Sequence, residues 1–338
     1  MWDDLAAQVR RLKDRTILSL FDENANRAEE FSVEADGLLL DYAKTHIDEG
    51  ARGALLALAE AAGLEARRAA MFEGHPINET EGRAVLHTAL RNLDGGAVLV
   101  DGRDVMPGVR DTLARMEALA RELRRAAVTD VVNIGIGGSD LGPAMAVRAL
   151  APYHDGPRCH FVSNVDGADL SDTLRDLDPQ TTMFIVASKT FTTIETMTNA
   201  QSAKAWLADK GVAADDRFVA LSSAQDKAEA FGVPPARVFG FADWVGGRYS
   251  VWGPIGLSLM VAIGPDRFRA FLAGAQAMDR HFQTALPHEN LPVMLALTGI
   301  WHNQGQGHAS RAVLPYDDRL SRLPAYLQQL EMESNGKR

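Results

Sequence analysis

The chain has 338 residues, of which 46% are hydrophobic and 24% are charged, which is typical of a globular protein with about two domains. Its formal net charge of -10 argues against a nucleic-acid partner, because proteins that bind phosphate backbones concentrate lysine and arginine on one face. An anionic ligand would therefore need a local, preorganised site.

The N-terminal residues lack the apolar core and small-residue cleavage site of a signal peptide, which predicts a cytoplasmic protein. The longest mostly apolar stretch, Val251 to Gly264, has 14 residues and contains Pro254, so it is too short to span a bilayer and no membrane partner is expected. The single cysteine, Cys159, lies in an apolar run, which predicts a core residue rather than a catalytic thiol.

Residues 1–125 have the pattern of a mainly helical region. Apolar residues recur at helical spacing from Leu55 to Ala62 and again from Val109 to Leu123. The short run Leu38 to Leu40 is a candidate strand within this region.

Residues 126–262 have a different pattern, in which short apolar runs alternate with amphipathic segments. The runs are 131–134, 160–162, 183–187 and 218–221, and the segments lie near 143–151, 168–176, 193–208 and 223–231. Strands separated by helices of this length predict a doubly wound α/β domain with a parallel sheet. Because ligands bind at the carboxyl ends of such strands, the loops after Ile134, Ala187 and Leu221 are candidate binding sites.

Residues 263–338 indicate the start of a second α/β domain. A helical pattern from Phe268 to Phe282 precedes two apolar segments, Val293 to Ile300 and Ala312 to Leu314. Little chain remains to complete a sheet, so this domain is expected to be incomplete.

The first candidate loop, Gly135 to Pro143 (GIGGSDLGP), connects a predicted strand to a predicted helix. Its glycines allow close approach of a ligand, and the helix N-terminus offers free N–H groups to an anion. Asp140 replaces the third glycine of the dinucleotide fingerprint, and no Gly-Lys-Ser/Thr completes a P-loop. The residues alone leave an anion site and a tight structural turn as alternatives.

The second candidate loop, Ser188 to Glu195 (SKTFTTIE), follows another predicted strand. Thr192 and Glu195 have the spacing of a capping box, which predicts a helix start at this point. Four hydroxyls and one ammonium within six residues exceed what a cap requires. Hydroxyls and backbone N–H groups can surround an anion without a large excess of positive charge.

Two further segments carry candidate catalytic groups. In Asp243 to Ser250 (DWVGGRYS), paired glycines precede Arg248, which is either suited to stabilising charge on an oxygen or an ordinary surface arginine. In Tyr326 to Lys337 (YLQQLEMESNGK), either Glu331 or Glu333 could act as a base, and composition does not choose between them.

Six segments, in order along nearly the whole chain, resemble motifs of the glucose-6-phosphate isomerase family. They are NETEGRAVLHTALR (78–91), GIGGSDLGP (135–143), FVSNVDG (161–167), SKTFTTIET (188–196), VGGRYSVWGPIG (245–256) and YLQQLEMESNGK (326–337). The resemblance implies two doubly wound, flavodoxin-like sugar-isomerase (SIS) domains with N-terminal helical additions.

The resemblance also implies roles for individual residues. Glu333 matches the family's base, Gln329 its substrate-contacting glutamine, and Arg248 would face the reacting end of the sugar. The implied phosphate site comprises Ser188, Lys189, Thr190, Thr192 and Thr193, together with Gly138 and Ser139.

The implied reaction interconverts glucose 6-phosphate and fructose 6-phosphate through a cis-enediol or enediolate. No metal or organic cofactor is expected, and the nine histidines show no metal-ligand spacing. The family is a homodimer in which a histidine from the neighbouring subunit and a lysine open the sugar ring. Both are expected downstream of the ESNGK motif, so the chain is expected to be a fragment, and a silent sugar-phosphate-binding fragment is the alternative.

Overall fold

The computed structural model describes residues 1–336. Lys337, which ends the ESNGK motif, and Arg338, which ends the predicted second domain, lie outside the described residues. The chain forms two compact units. One comprises Met1–Glu73 and Ala273–Val313, and the other comprises Gly74–Leu272 and Leu314–Arg338. The predicted domain boundaries after residues 125 and 262 stay a prediction.

Within residues 1–336 the regular elements are α-helices and short strands, labelled in chain order. The helices are α1 (Trp2–Leu12), α2 (Ile17–Glu23), α3 (Arg27–Glu30), α4 (Glu49–Ala61), α5 (Leu64–Phe72), α6 (Met106–Arg125), α7 (Leu141–Ala149), α8 (Gly167–Leu174), α9 (Ile194–Asp209), α10 (Gln225–Phe231), α11 (Leu257–Ile263), α12 (Pro265–Thr284), α13 (Leu291–Ile300) and α14 (Leu323–Gly336). The strands are β1 (Ser32–Ala35), β2 (Leu38–Asp41), β3 (Leu99–Val100), β4 (Arg103–Asp104), β5 (Asp130–Gly135), β6 (Arg158–Val162), β7 (Thr182–Ala187), β8 (Phe218–Leu221) and β9 (Val238–Phe239).

The second unit is built on a parallel five-stranded sheet with strand order β6-β5-β7-β8-β9. The chain moves from β5 to one side for β6 and then to the other side for β7. This is the flavodoxin-like order, whose switch point lies between β5 and β7. Gly135 and Ala187 are register partners at the carboxyl ends of these two strands, so the loops that follow them start side by side.

Both faces of this sheet are buried, which explains why its strands are continuous apolar runs. Val131, Ile185 and Leu221 pack in one core cluster with residues of α6 and α11. Ile134 and Phe184 pack on the opposite face in a second cluster with residues of α8, α9 and α10. The predicted parallel α/β domain is therefore confirmed.

The first unit is mainly helical and has its own core. Leu5, Leu55 and Trp301 are among its most buried side chains, with exposed fractions of 0–1%. Leu38 lies in a strand as predicted, in the β1–β2 hairpin. No helix among residues 1–336 has the length and apolarity needed to cross a membrane.

Two details of the expected pattern differ in the structure. The apolar segment 293–300 lies in a helix, α13, capped by Asn290, and residues 263–336 contain no strand. The capping box at Thr192 is wrong by one residue, because the N-cap of α9 is Thr193 and its side chain makes no capping hydrogen bond.

Candidate active site

The glycine loop leaves β5 at the switch point of the sheet. A Cβ on Gly135 would lie 2.8 Å from Ser139 Cβ and 3.2 Å from Ala187 Cβ, so only glycine fits between the two strands and the turn. Gly137 adopts φ +61°, a conformation that L side chains rarely take. These glycines fold residues 137–139 into a tight turn just before α7 begins at Leu141.

The same loop is in close contact with two more distant segments. A Cβ on Gly138 would lie 2.4 Å from the carbonyl carbon of Gly247 and 2.6 Å from the Arg248 nitrogen. A Cβ on Gly137 would lie 2.9 Å from Gln329 Nε2. The turn therefore supports the backbone that carries Arg248 and also borders α14.

The loop after β7 holds its hydroxyl groups in pairs. Ser188 Oγ lies 3.0 Å from Thr193 Oγ1, and Thr190 Oγ1 lies 2.7 Å from Thr192 Oγ1. Because α9 does not use the Thr193 side chain as a cap, these hydroxyls can reorient toward a ligand at the helix N-terminus. The arrangement favours an anion site over a simple cap.

Backbone strain is stored within this loop. Phe191 adopts φ +52°, which is uncommon for a bulky residue, and its side chain is buried edge-on against Phe231 at 5.8 Å. The buried ring holds the backbone in this conformation, and residues in strained conformations cluster at functional sites.

Lys189 is tied to the segment that precedes Arg248. Its Nζ lies 3.1 Å from Asp243 Oδ1, and its carbonyl oxygen accepts hydrogen bonds from the Ser222 hydroxyl and the Ser223 N–H. Its side chain remains 40% exposed, which leaves the ammonium accessible to an anion.

Helix α14 brings the candidate base to the arginine. Arg248 Nη1 lies 3.5 Å from Glu333 Oε1, and the two side chains are 20% and 28% exposed. Gln329, one helical turn earlier, donates from Nε2 to Glu333 Oε2 at 3.1 Å. The Gln329 Oε1 atom is buried and makes no hydrogen bond within the described residues, so its acceptor capacity is unused in this arrangement.

Helical spacing separates the two acids that the sequence left as alternatives. Gln329 and Glu333 are four residues apart and share a face of α14, whereas Glu331 lies between them and is exposed. The geometry favours Glu333 as the base.

Several residues of this region carried no sequence signal of their own. Burial raises the pKa of Asp140 to about 6, with Arg322 acting to lower it and Asp169 to raise it. Tyr249 and Ser334 hydrogen-bond at 3.0 Å, and the His87 ring lies 4.9 Å from the Tyr249 ring. The six motifs include Asp140, Tyr249, Ser334 and His87, but neither periodicity nor spacing in the sequence indicated a role for these four side chains.

Cys159 behaves as the predicted structural thiol. Burial raises its pKa to about 12, with a smaller contribution from Asp130, and Sγ donates to the Ser258 carbonyl at 3.2 Å. Among residues 1–336, no group of three or more histidine, cysteine, aspartate or glutamate side chains could hold a metal ion.

The site thus combines a half-buried carboxylate, a guanidinium and a hydroxyl-rich helix N-terminus at the switch point of the sheet. Such groups suit proton transfer on a small anionic substrate. A family model described as phosphoglucose isomerase matches residues 41–338. The chain belongs to the phosphoglucose isomerase family.

Individual members of the phosphoglucose isomerase family are closely similar to the chain. Glucose-6-phosphate isomerase of Roseobacter denitrificans is 66% identical over 337 residues, covering 100% of this chain and 63% of that protein. That of Ruegeria pomeroyi is 67% identical over 344 residues, covering 100% and 64%. The chain therefore spans a little under two thirds of the length of the curated relatives it matches.

A solved phosphoglucose isomerase structure has the same fold. The crystal structure of a glucose-6-phosphate isomerase from Chlamydia trachomatis superposes with a TM-score of 0.89 at 31% identity, covering 99% of this chain and 66% of that one. The family and fold expected from the six motifs are confirmed.

Proposed function

We propose that the chain provides the proton-transfer site of a glucose-6-phosphate isomerase, which reversibly converts D-glucose 6-phosphate into D-fructose 6-phosphate in glycolysis and gluconeogenesis. The observation that carries this proposal is the approach of Arg248 to Glu333 at 3.5 Å, beside the glycine turn and the hydroxyl-rich loop.

Glu333 is the base in this proposal. It removes the proton from C2 of the open-chain sugar and returns it to C1, so the reaction passes through a cis-enediol or enediolate. The Gln329 amide holds Oε2 of the carboxylate, which restricts its rotation and leaves Oε1 on the side of Arg248. Holding a base in the correct orientation avoids the entropy loss of finding it during the reaction.

Arg248 stabilises the charge that develops on the substrate oxygens. This interaction is stronger in the transition state than with the neutral carbonyl, so it raises the rate and not only the affinity. The guanidinium is permanently charged and presents several N–H donors, of which Nε–H is already used within the protein.

The phosphate group is bound by the loop after β7. Ser188, Thr190, Thr192 and Thr193 would each exchange a hydroxyl–hydroxyl contact for a bond to a phosphate oxygen, and Lys189 adds positive charge. Gly138 and Ser139 contribute from the neighbouring turn. This set of donors suits a protein of net charge -10, since it binds the anion locally.

The remaining features follow the family resemblance. We propose a cytoplasmic homodimer without metal or organic cofactor, with neither nucleic acid nor membrane as a partner. Ring opening is assigned to a histidine and a lysine that lie outside the motifs described above.

An alternative is a chain that binds sugar phosphate without turning it over, and the 63–64% coverage of the relatives gives a reason to test it. Protein made from the complete reading frame containing this chain is titrated with glucose 6-phosphate by calorimetry, and fructose 6-phosphate formation is followed by NMR. Binding with turnover supports the isomerase. Binding without turnover supports the silent module, and absence of binding contradicts both.

A further inference from the structure

The Ser334 hydroxyl lies where the arginine segment, residues 243–250 with Arg248, meets α14. Its Oγ lies 2.9 Å from Arg248 Nε, 3.0 Å from the Tyr249 hydroxyl and 2.5 Å from the Leu330 carbonyl oxygen. Ser334 also directly follows Glu333 in the chain. One hydroxyl therefore connects the candidate base's helix to the candidate arginine.

The chemistry of these groups fixes the direction of each bond. A serine hydroxyl has one proton and two acceptor lone pairs, and a carbonyl oxygen can only accept. Ser334 must therefore donate to Leu330, and it accepts from Arg248, which has only donors. Its last lone pair accepts from Tyr249, so the hydroxyl is fully used and has one orientation.

Tyr249 is held in turn by His87. The two rings are 4.9 Å apart between centroids with an angle of 34°. The backbone next to His87 is fixed to the same segment, because the Leu86 N–H donates to the Trp244 carbonyl at 3.0 Å.

His87 acts here as a neutral ring. Desolvation, with a smaller contribution from Arg91, lowers the pKa of His87 to about 3. Its Nδ1 is buried and has no hydrogen-bond partner among the described residues. Packing against Tyr249 is the contribution that the structure shows for this ring.

We propose that Ser334 is a positioning residue for Arg248, and that Tyr249 and His87 keep its hydroxyl in the orientation that accepts the Arg248 Nε–H. The proposal rests on the proposed function. With Nε fixed and Nη1 beside Glu333, the guanidinium is held with its remaining donors directed toward the substrate. Ser334 itself contacts neither substrate nor reacting atoms in this account.

The kinetic test uses protein from the complete reading frame and compares Ser334→Ala with Ser334→Thr, which keeps the hydroxyl. A hydrogen bond to a charged group contributes about 1.5–3 kcal/mol, so Ser334→Ala should lower kcat by about tenfold or more. The KM should change by less than about threefold, because the interaction lost acts mainly in the transition state. Ser334→Thr should retain kcat within about threefold of wild type.

The matched control is Thr284→Ala. Thr284 Oγ1 donates to the Arg280 carbonyl at 2.8 Å, the same backward bond along a helix that Ser334 makes to Leu330. Its loss should leave turnover unchanged. Wild-type kcat in Ser334→Ala, or equal losses in Ser334→Ala and Ser334→Thr, would overturn the proposal.

A second readout is independent of turnover. Exchange of the Arg248 Nε–H with solvent is followed by 15N NMR, with Arg248→Lys identifying its signal. The proton should be protected in wild type and in Thr284→Ala, and should exchange about tenfold faster or more in Ser334→Ala. Unchanged exchange overturns the positioning role, whereas protected exchange in a wild type without turnover contradicts the proposed function instead.

Discussion

Gln329 Nε2 donates to Glu333 Oε2 at 3.1 Å, and the two residues lie one helical turn apart on α14. This bond fixes one oxygen of the carboxylate, while the other faces Arg248. The candidate base is therefore oriented by a residue of its own helix. Its other oxygen approaches Arg248, which lies about 85 residues earlier in the sequence.

Removing a hydroxyl from the loop after β7, residues 188–193, should weaken substrate binding with little loss of stability. Thr190→Ala and Thr193→Ala should each weaken affinity for glucose 6-phosphate about tenfold, because each removes a donor worth about 1–2 kcal/mol. The Thr193 side chain makes no capping bond, and its removal breaks one contact with the Ser188 hydroxyl, so the midpoint of thermal unfolding should fall only slightly. Calorimetry and thermal unfolding measure the two effects.

Thr284→Ala, which removes an exposed hydroxyl on α12, is the matched control for these substitutions and should leave affinity unchanged. Two outcomes contradict the phosphate assignment: unchanged affinity in both threonine variants, or an equal loss in the control.

A side chain at position 138 should clash where the glycine turn, residues 137–139, contacts the arginine segment. A Cβ would meet backbone atoms of Gly247 and Arg248 at 2.4–2.6 Å, and backbone cannot yield as a flexible side chain can. Gly138→Ala should lower the free energy of unfolding by about 1–3 kcal/mol and should also reduce turnover, since Arg248 is displaced.

The control for Gly138→Ala is Gly53→Ala in the exposed middle of α4, where a Cβ has no neighbour within 4 Å. Alanine there should raise the free energy of unfolding by about 0.5–1 kcal/mol. Wild-type stability of Gly138→Ala in urea denaturation would show that the close contact does not exist in solution.

The buried carboxyl of Asp140 should make the free energy of unfolding depend on pH. Burial raises its pKa to about 6, so the native state retains a proton that the unfolded chain releases. This stabilises the fold below about pH 4, and the contribution is lost as the pH rises through about 6. Asp140→Asn should therefore be more stable than wild type at pH 7.5 by about 2–3 kcal/mol and equally stable near pH 4.

Urea denaturation at several pH values measures this difference, and the exposed Asp209→Asn at the end of α9 provides the control. Asp209→Asn makes the same chemical change at an exposed position. If the stability difference between Asp140→Asn and wild type is the same at pH 4 and pH 7.5, the Asp140 carboxyl is not desolvated.

The sequence predicted those parts of the structure that depend on local pattern. The apolar runs at 131–134 and 183–187 became strands because both faces of the sheet are covered, and the loops that follow them meet at the switch point as parallel topology requires. Residue roles came from the family resemblance, since composition left Glu331 and Glu333 as alternatives.

What the sequence did not predict depends on tertiary contacts. The Gly138 contact with Gly247 joins positions far apart in the chain, so the local spacing of residues does not indicate it. Asp140 has the residue type of a helix cap, but its carboxyl is buried and makes no capping bond. The predicted cap at Thr192 was wrong because the Thr192 hydroxyl contacts Thr190 Oγ1 and the N-cap of α9 is Thr193.

Proton transfer by Glu333 is the central claim, and Glu333→Gln tests it most directly. Protein from the complete reading frame is incubated with fructose 6-phosphate in D2O, and NMR follows the appearance of deuterium at the carbon-bound positions of the sugar. Wild type should exchange, and Glu333→Gln should exchange at least about 100-fold more slowly while binding the sugar phosphate within about threefold of wild type. Deuterium incorporation at the wild-type rate in Glu333→Gln would contradict the assignment of the base.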